Sequence, residues 1–511
     1  MEKDSPSNGV IPASDATPND HGEAEVYSAF SRGTRHYLTI LLGVIMILSS
    51  MTATIYFPLI PSLSRSFSVS IQQINLTVTV YAIFQAAAPG FFASLADLTG
   101  RRPVLLGLIA LYMIGSLGLV LNRRDSYAIL ITMRALQSIG GSPTTALAYG
   151  VAADVSTLEQ RGGMVGPMMS ICNGISAGGP VIGGGVSMVP GGHVWVFLTL
   201  LLISVLLLFV TGLTLPETSR LIAGNGSKPT HGIWRTWAQW CTDRRARHSD
   251  DAVGAETERQ GGEKRTKWEP LSAFTSLRII FYPDAFPVLW TIASSYCIYY
   301  TYQVAIPTIF DEIYGYNELF IGLSFLPGLV GMTIGGIVAG RLMDRNFAKV
   351  AASNHVELGG RTKLAGNEIG DFPIEAARYR FFIPIIVVES LLVAGYGWAV
   401  AFRVHAAVPL VLQFFACALS TLMSHTASAL LVETFPDRSS SAYAAGQAMR
   451  CGLSAASAAV LQPLVDAVGR GWFFVMFAVF LGTTAVASVS VSLTLGKNWR
   501  KKRLEGKNQD I

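Results

Sequence analysis

The chain has 511 residues, 51% of them hydrophobic and only 14% charged, with a formal net charge of +5 and a mean hydropathy of +0.43. A soluble protein of this size needs far more charge on its surface, so composition excludes that class. The apolar residues fall in continuous blocks of roughly 20, the length that crosses a bilayer core. Continuous rather than alternating blocks exclude a β-barrel and give an all-α polytopic membrane protein.

In chain order, residues 1–36 are polar, contain Pro6, Pro12 and Pro18 and lack an apolar core. They read as a disordered cytosolic tail rather than a cleaved signal peptide. Twelve spans follow, near 37–59, 74–95, 103–121, 127–150, 164–187, 194–215, 284–308, 319–341, 380–401, 407–432, 440–466 and 472–495. The first six (37–218) and the last six (283–496) form two bundles, joined by a cytosolic linker (219–282) and followed by a basic cytosolic tail (497–511). The linker interleaves Arg244, Arg245, Arg247, Lys264, Arg265 and Lys267 with Asp250, Asp251, Glu256, Glu258 and Glu263. It reads as solvated and mostly flexible, with room for a short surface helix near Ile233–Trp240. The five cysteines are dispersed and show no CxxC spacing, so neither a disulfide nor a zinc site is expected, and no cofactor or metal is called for. HExxH, P-loop and GxSxG signatures are missing, which argues against an enzyme.

Charge sets the topology. Arg101, Arg102, Arg161, the linker, the loop around Arg345–Arg380 and the run Arg500–Arg503 fall on one side. The other side carries Asp311, Glu312 and Glu318, with Arg123 and Arg124 as exceptions. The positive-inside bias places both termini in the cytosol. Because the basic residues cluster beside spans, the net charge points to a lipid surface and not to nucleic acid.

Three loops and spans carry patterned residues. After the second span comes Ala93-x-x-x-Asp97-Leu98-Thr99-Gly100-Arg101-Arg102; the fourth holds Arg134-Ala135-Leu136-Gln137-Ser138-Ile139-Gly140-Gly141; the fifth holds Gly179-Pro180-Val181-Ile182-Gly183-Gly184. Together these resemble three motifs of the major facilitator superfamily, in its 12-span drug:proton antiporter branch. Ala93 stands for the leading glycine, Leu98 for the first basic residue and Ser138 for a glycine. Ile55-Tyr56-Phe57-Pro58, Leu215-Pro216-Glu217-Thr218, Ala223-Gly224-Asn225-Gly226, Asp371-Phe372-Pro373-Ile374-Glu375 and Arg450-Cys451 resemble the fungal quinidine-resistance subgroup, which includes multidrug, polyamine and organic-acid exporters. The likeness covers roughly residues 37–500 and implies two six-helix bundles that rock around a central site.

Roles follow from residue type and from that resemblance. Asp97, Gly100, Arg101 and Arg102, echoed after the eighth span by Asp344 and Arg345, form a candidate latch between the halves; the plainer reading is a topogenic loop. Arg134 lies inside an apolar helix, where a charge marks a pathway or a buried pair. The resemblance links it to proton coupling, with Gln137 on the same face; the alternative is a buried structural pair with Asp97 or a backbone carbonyl. The first and fourth spans hold no carboxylate at mid-membrane, so Glu389 and His425 become the titratable candidates. Gly179, Pro180, Gly183 and Gly184 make the fifth span small-sided and bendable, either as a seal between the halves or as ordinary close packing. Ser50, Thr54, Asn173, Tyr296, Tyr299, Tyr300, Gln303 and Arg450 are candidates to line a substrate cavity. The tyrosines would suit amphipathic, partly aromatic solutes or simply anchor the helix at the interface. The fifth span's cavity segment offers no cation, which weighs against a dedicated di- or tricarboxylate carrier.

The expectation is a monomeric, proton-coupled exporter of small organic molecules, xenobiotics or secreted metabolites, in a fungal plasma membrane. The rivals are a nutrient or organic-acid uptake symporter on the same fold and a non-transporting receptor.

Overall fold

The computed structural model describes residues 30–509 apart from 123–125, 157, 190, 226–231, 238–277, 354–372 and 436–438. Among the described residues the chain makes twelve helical passes. The first is Arg32–Thr54, continued past a turn at Phe57–Leu59 by Ile60–Phe67; the second and third are Ile71–Thr99 and Arg101–Val120. The fourth is Tyr127–Gly141 with Pro143–Val155, the fifth Leu158–Ala177 with Gly179–Ser187, and the sixth Gly192–Thr214. The seventh is Phe286–Glu312 and the eighth Glu318–Leu323 with Leu326–Ser353. Phe382–Ala401, Ala407–Thr434, Ser439–Val468 and Arg470–Gln509 complete the set.

The interruptions have local causes. Pro143, Pro180 and Pro327 each stand within two residues of a new helical start, where a missing N–H costs nothing and the ring blocks continuation from the preceding turn. Nine passes are long and apolar enough to cross a membrane on length and composition. The fourth, fifth and seventh fall short because they carry Arg134 and Gln137, a run of glycines, and Ser294, Ser295, Thr301 and Gln303, respectively. A span that is less apolar than its neighbours belongs where lipid does not reach. The seventh is buried along almost its whole length, whereas Leu202, Leu206 and Phe209 of the sixth, Leu391 of the ninth and Phe480 of the twelfth are exposed, as lipid-facing side chains are.

Helix ends run beyond the apolar blocks. The eighth pass continues to Ser353 and the twelfth to Gln509, through the residues expected to form a basic tail. Lys and Arg are good helix formers, and nothing in Lys497–Arg503 caps or breaks a helix. The tail reading is corrected in one more respect: Arg500 is fully buried against its own bundle.

Both described chain ends, the loop at Gly100 and the turn after Val155 share one face, called here the terminal face. The halves meet along the second and eleventh passes and, through the fifth and eighth, at the opposite face. There Gly179–Ser187 of the fifth pass lies along Glu318–Leu323 of the eighth. A Cβ on Gly184 would strike the Glu318 carbonyl oxygen, and one on Gly322 would strike that of Pro180. Glycine at both positions lets backbone meet backbone across the two halves. Arg65 donates to Asp311 (2.9 Å) and lies 3.6 Å from Glu318, and the Gln72 amide donates to the Ala459 carbonyl at 2.9 Å. Phe57 stacks on Phe325 (6.2 Å) and meets Tyr300 edge-on (5.8 Å). Toward the terminal face the same two passes separate. Leu158–Ala177 packs on the first and fourth passes and Leu326–Ser353 on the tenth, without extended packing between them. Ser170, Asn173 and Gly174 are exposed there.

Candidate substrate and coupling sites

The loop at Gly100 is the most densely bonded part of the terminal face. Gly100 has φ +108°, a conformation that L side chains rarely adopt, and a Cβ would lie 2.5 Å from Glu217 Oε2. The free N–H groups at the start of the third pass receive that carboxylate: Arg101 N donates at 2.9 Å and Arg102 N at 3.2 Å, while Thr218 N and Ser219 N each donate at 2.9 Å. The Pro-Glu-Thr segment closing the sixth pass thus caps the third.

Arg102 is only 2% exposed. Its guanidinium donates to the carbonyls of Leu215 (2.9 Å), Gly212 (2.7 Å) and Ile233 (2.7 Å). Trp234 Nε1 donates to the Thr99 carbonyl at 2.9 Å. The start of the linker is therefore pinned to the first half through the short turn Gly232–Trp234; the surface helix expected near Ile233–Trp240 falls in part outside the described residues.

Arg101 bridges Asp97 (2.6 Å) and Asp154 (3.0 Å) at the end of the fourth pass. In this arrangement no described bond of the expected latch crosses between the halves. The bonds of Asp97, Arg101 and Arg102 lie inside the first half, and those of Arg102 are buried structural ones. Arg345 is exposed, and the side chain of Asp344 lies outside the described residues.

The second half repeats the arrangement. Arg378, just before the ninth pass, donates to Glu433 at the end of the tenth (3.1 Å), as Arg101 before the third reaches Asp154 at the end of the fourth. Arg500 of the twelfth lies 3.4 Å from Glu375, and Arg503 lies 2.9 Å from Asp284. Burial pushes the Glu375 carboxyl above the usual range, and Arg500 only partly offsets it.

Deeper in the first half, Arg134 is 1% exposed. Its guanidinium carbon sits 4.0 Å from the centre of the Tyr56 ring and 4.6 Å from that of Tyr81. Nη1 donates to Gln137 Oε1 (3.1 Å), and Gln137 donates onward to Ser116 (2.9 Å). Two aromatic faces and an amide hold the cation. This cage stands in place of the pairing with Asp97, and Tyr56 and Tyr81, which no sequence signal marked as its partners, help to build it.

Glu389 is 2% exposed, inside the second half beside Ser420, and its Oε1 has no partner among the described residues. His425 is exposed on the tenth pass and lies against Gly336 of the eighth. The structure does not bring Arg134, Glu389 and His425 together.

The cavity candidates divide. Ser50 bonds Ser176 and lies 3.1 Å from Cys172 Sγ, while Thr54 donates to the Ser176 carbonyl at 3.1 Å. These two stitch the first pass to the fifth at the crossing where Gly179 and Gly183 press on Thr54 and Ile55. Tyr299 and Tyr300 are buried, and Gln303 is buried with both amide atoms unpartnered among the described residues. Asn173, Tyr296 and Arg450 retain access. Arg450 bonds Gln447 and lies 5.1 Å from the Tyr296 ring centre and 5.9 Å from that of Tyr443. Tyr443 in turn meets Tyr149 of the first half at 5.5 Å. Neither Tyr149 nor Tyr443 carries a signal in the sequence.

Residues 42–454 match the family model described as Major Facilitator Superfamily. The chain belongs to the major facilitator superfamily. It is 32% identical to Citrate exporter 1 of Aspergillus niger, over 98% of this chain and 94% of that protein. It is 29% identical to a multidrug transporter of Candida glabrata, over 97% and 86%. Among solved structures, the fold is similar to a D-xylose–proton symporter (TM-score 0.60, 13% identity, 90% of this chain and 97% of that one). A bacterial homologue of the lysosomal transporter Spinster is also similar (TM-score 0.57, 13% identity, 92% and 97%). The twelve-pass, two-bundle architecture is that of this superfamily, and the chain is a membrane-spanning transporter.

Proposed function

We propose that this transporter exports small organic molecules from the cytosol in exchange for protons, in a fungal plasma membrane, with both termini cytosolic. The observation that carries the reading is the course of the fifth and eighth passes, packed backbone to backbone at the opposite face and separate toward the terminal face. With the terminal face cytosolic, as the basic loops imply, solute would load from inside. Rocking of the halves would part the Gly184–Glu318 and Gly322–Pro180 seam and release it outside. The names of the two relatives, a citrate exporter and a multidrug transporter, favour outward cargo of organic character.

Glu389 is the residue we assign to carry the proton, with His425 as the second candidate. An ionisable side chain enclosed in a span marks a proton route, and one carboxylate oxygen of Glu389 lacks a fixed partner. Arg134 would hold the first half in shape rather than move a proton, since its cage contains no carboxylate.

Inside-out plasma-membrane vesicles from cells expressing the chain test this. Under an imposed proton gradient, solute should accumulate, and a protonophore should stop it. Accumulation that survives the protonophore would sink the coupling, and movement only in the opposite sense would sink export.

A further inference from the structure

The two arginines within the spans differ in what surrounds them. Arg134 is enclosed. Arg450 is half-buried, roughly three turns into Ser439–Val468, or about 15 Å from the terminal face, near the middle of the membrane. Its neighbours among the described residues include Gln447, one turn back, the rings of Tyr296 and Tyr443, Cys451 and, across to the tenth pass, His425. None carries negative charge, and Nε has no hydrogen-bond partner; both statements hold for Arg134 too, and what sets Arg450 apart is its access. A cation at mid-membrane without a counter-ion is costly. Tyrosine faces and the Gln447 amide offset part of that cost but leave Nε without an acceptor.

We infer that Arg450 receives a carboxylate of the transported molecule, so that the cargo of this chain is an organic anion, with Tyr296, Tyr443 and Tyr149 flanking its body. The inference rests on the export reading and names its substrate class. A planar guanidinium matches a carboxylate with two parallel N–H···O bonds. Tyr296 comes from the seventh pass, Tyr443 from the eleventh and Tyr149 from the fourth, so a ligand held here touches both halves. That arrangement lets binding bias their relative position. A positively charged solute would instead meet an uncompensated like charge. The cation that the fifth span does not supply to a carboxylate carrier is thus supplied by the eleventh.

The full-length protein, purified in detergent, separates the outcomes. The probes are citrate, benzoate and the cation tetraphenylphosphonium, read by the ligand-dependent rise in unfolding temperature and by flux in proteoliposomes under a proton gradient. Citrate or benzoate should raise the unfolding temperature saturably. Arg450→Gln should weaken that binding roughly tenfold to a hundredfold, and Arg450→Lys should restore part of it. Tetraphenylphosphonium should have no effect. Binding of neither carboxylate by the wild-type protein, or equal binding by Arg450→Gln, would overturn the assignment. Should Arg450→Gln fail to fold, Arg450→Lys with the wild-type panel decides. Carboxylate binding without gradient-driven flux would leave the Arg450 site standing and count against proton-coupled export; flux of tetraphenylphosphonium alone would do the reverse.

Discussion

The two faces of this transporter are built from the same helices and bonded on different principles. At the opposite face the contacts cross between halves: Arg65 with Asp311 and Glu318, Gly184 against Glu318, Gly322 against Pro180, Phe57 on Phe325. At the terminal face the described ion pairs close within each half: Arg101 with Asp97 and Asp154 in the first, Arg378 with Glu433 and Arg500 with Glu375 in the second. Charged bonds that stay inside a bundle keep it rigid while leaving it free to part from its neighbour. Backbone packed on backbone without side chains between gives a seam that is close yet holds few hydrogen bonds to break. The difference suits a molecule whose halves move as bodies and separate at one face at a time.

The largest effect is expected at the seam. Gly184→Leu places a side chain where the Glu318 carbonyl stands, so the opposite face should no longer close. Flux in proteoliposomes should fall at least tenfold while the protein remains monodisperse; unchanged flux would remove the seam from the account. Next comes the cap on the terminal face. Glu217→Ala leaves four backbone N–H groups without their carboxylate and should lower stability by about 3 kcal/mol. That loss would be read as a lower unfolding temperature in detergent, and one within error of wild type would contradict the assigned cap.

Glu375 gives a pH-dependent test of the bracing within the second half. Burial raises its folded-state carboxyl above the ordinary 4.5. Its protonated form is therefore favoured by folding. The contribution is fully present below about pH 4.5 and is lost as pH rises through the raised value. Wild-type unfolding temperature should decline over that interval more steeply than that of Glu375→Gln; parallel profiles would show the group to be unshifted. The smallest effect is expected for Arg65→Ala. Arg65 is largely exposed, with a side chain 60% accessible, and exposed pairs contribute about 0–1 kcal/mol. Unfolding temperature should hardly move, while labelling of a cysteine placed near Asp311 should rise modestly.

Much of this was legible in the sequence, for physical reasons. Lipid demands long apolar helices, so the twelve passes stand out as blocks, and the six-residue pattern Gly179-Pro180-x-x-Gly183-Gly184 marks a bend and a close approach. Helix ends were less legible, because Lys497–Arg503 is polar yet helix-favouring, and a helix continues until something caps it. Partners distant in sequence were not legible at all. Glu217 meets Arg101 across 116 positions, and Tyr149 meets Tyr443 only once the halves are assembled. The charge pattern at Asp97–Arg102 reads equally well as a latch between halves or a brace within one; with the sixth pass packed on the third, its described bonds brace the first half. Arg450 and Arg134 look alike in sequence, each a lone arginine in an apolar run. Both are faced by tyrosines, and only the assembled packing distinguishes the enclosed Arg134 from the partly accessible Arg450.

The central claim is that cargo leaves when the seam at the opposite face opens, and a reversible clamp across that seam tests it most directly. In a cysteine-free background, Arg65→Cys and Asp311→Cys joined by a short cleavable cross-linker would tie the halves together where they now meet. Export in proteoliposomes should stop on cross-linking and return when the linker is cut. Export that continues at its original rate with the clamp in place would contradict the account.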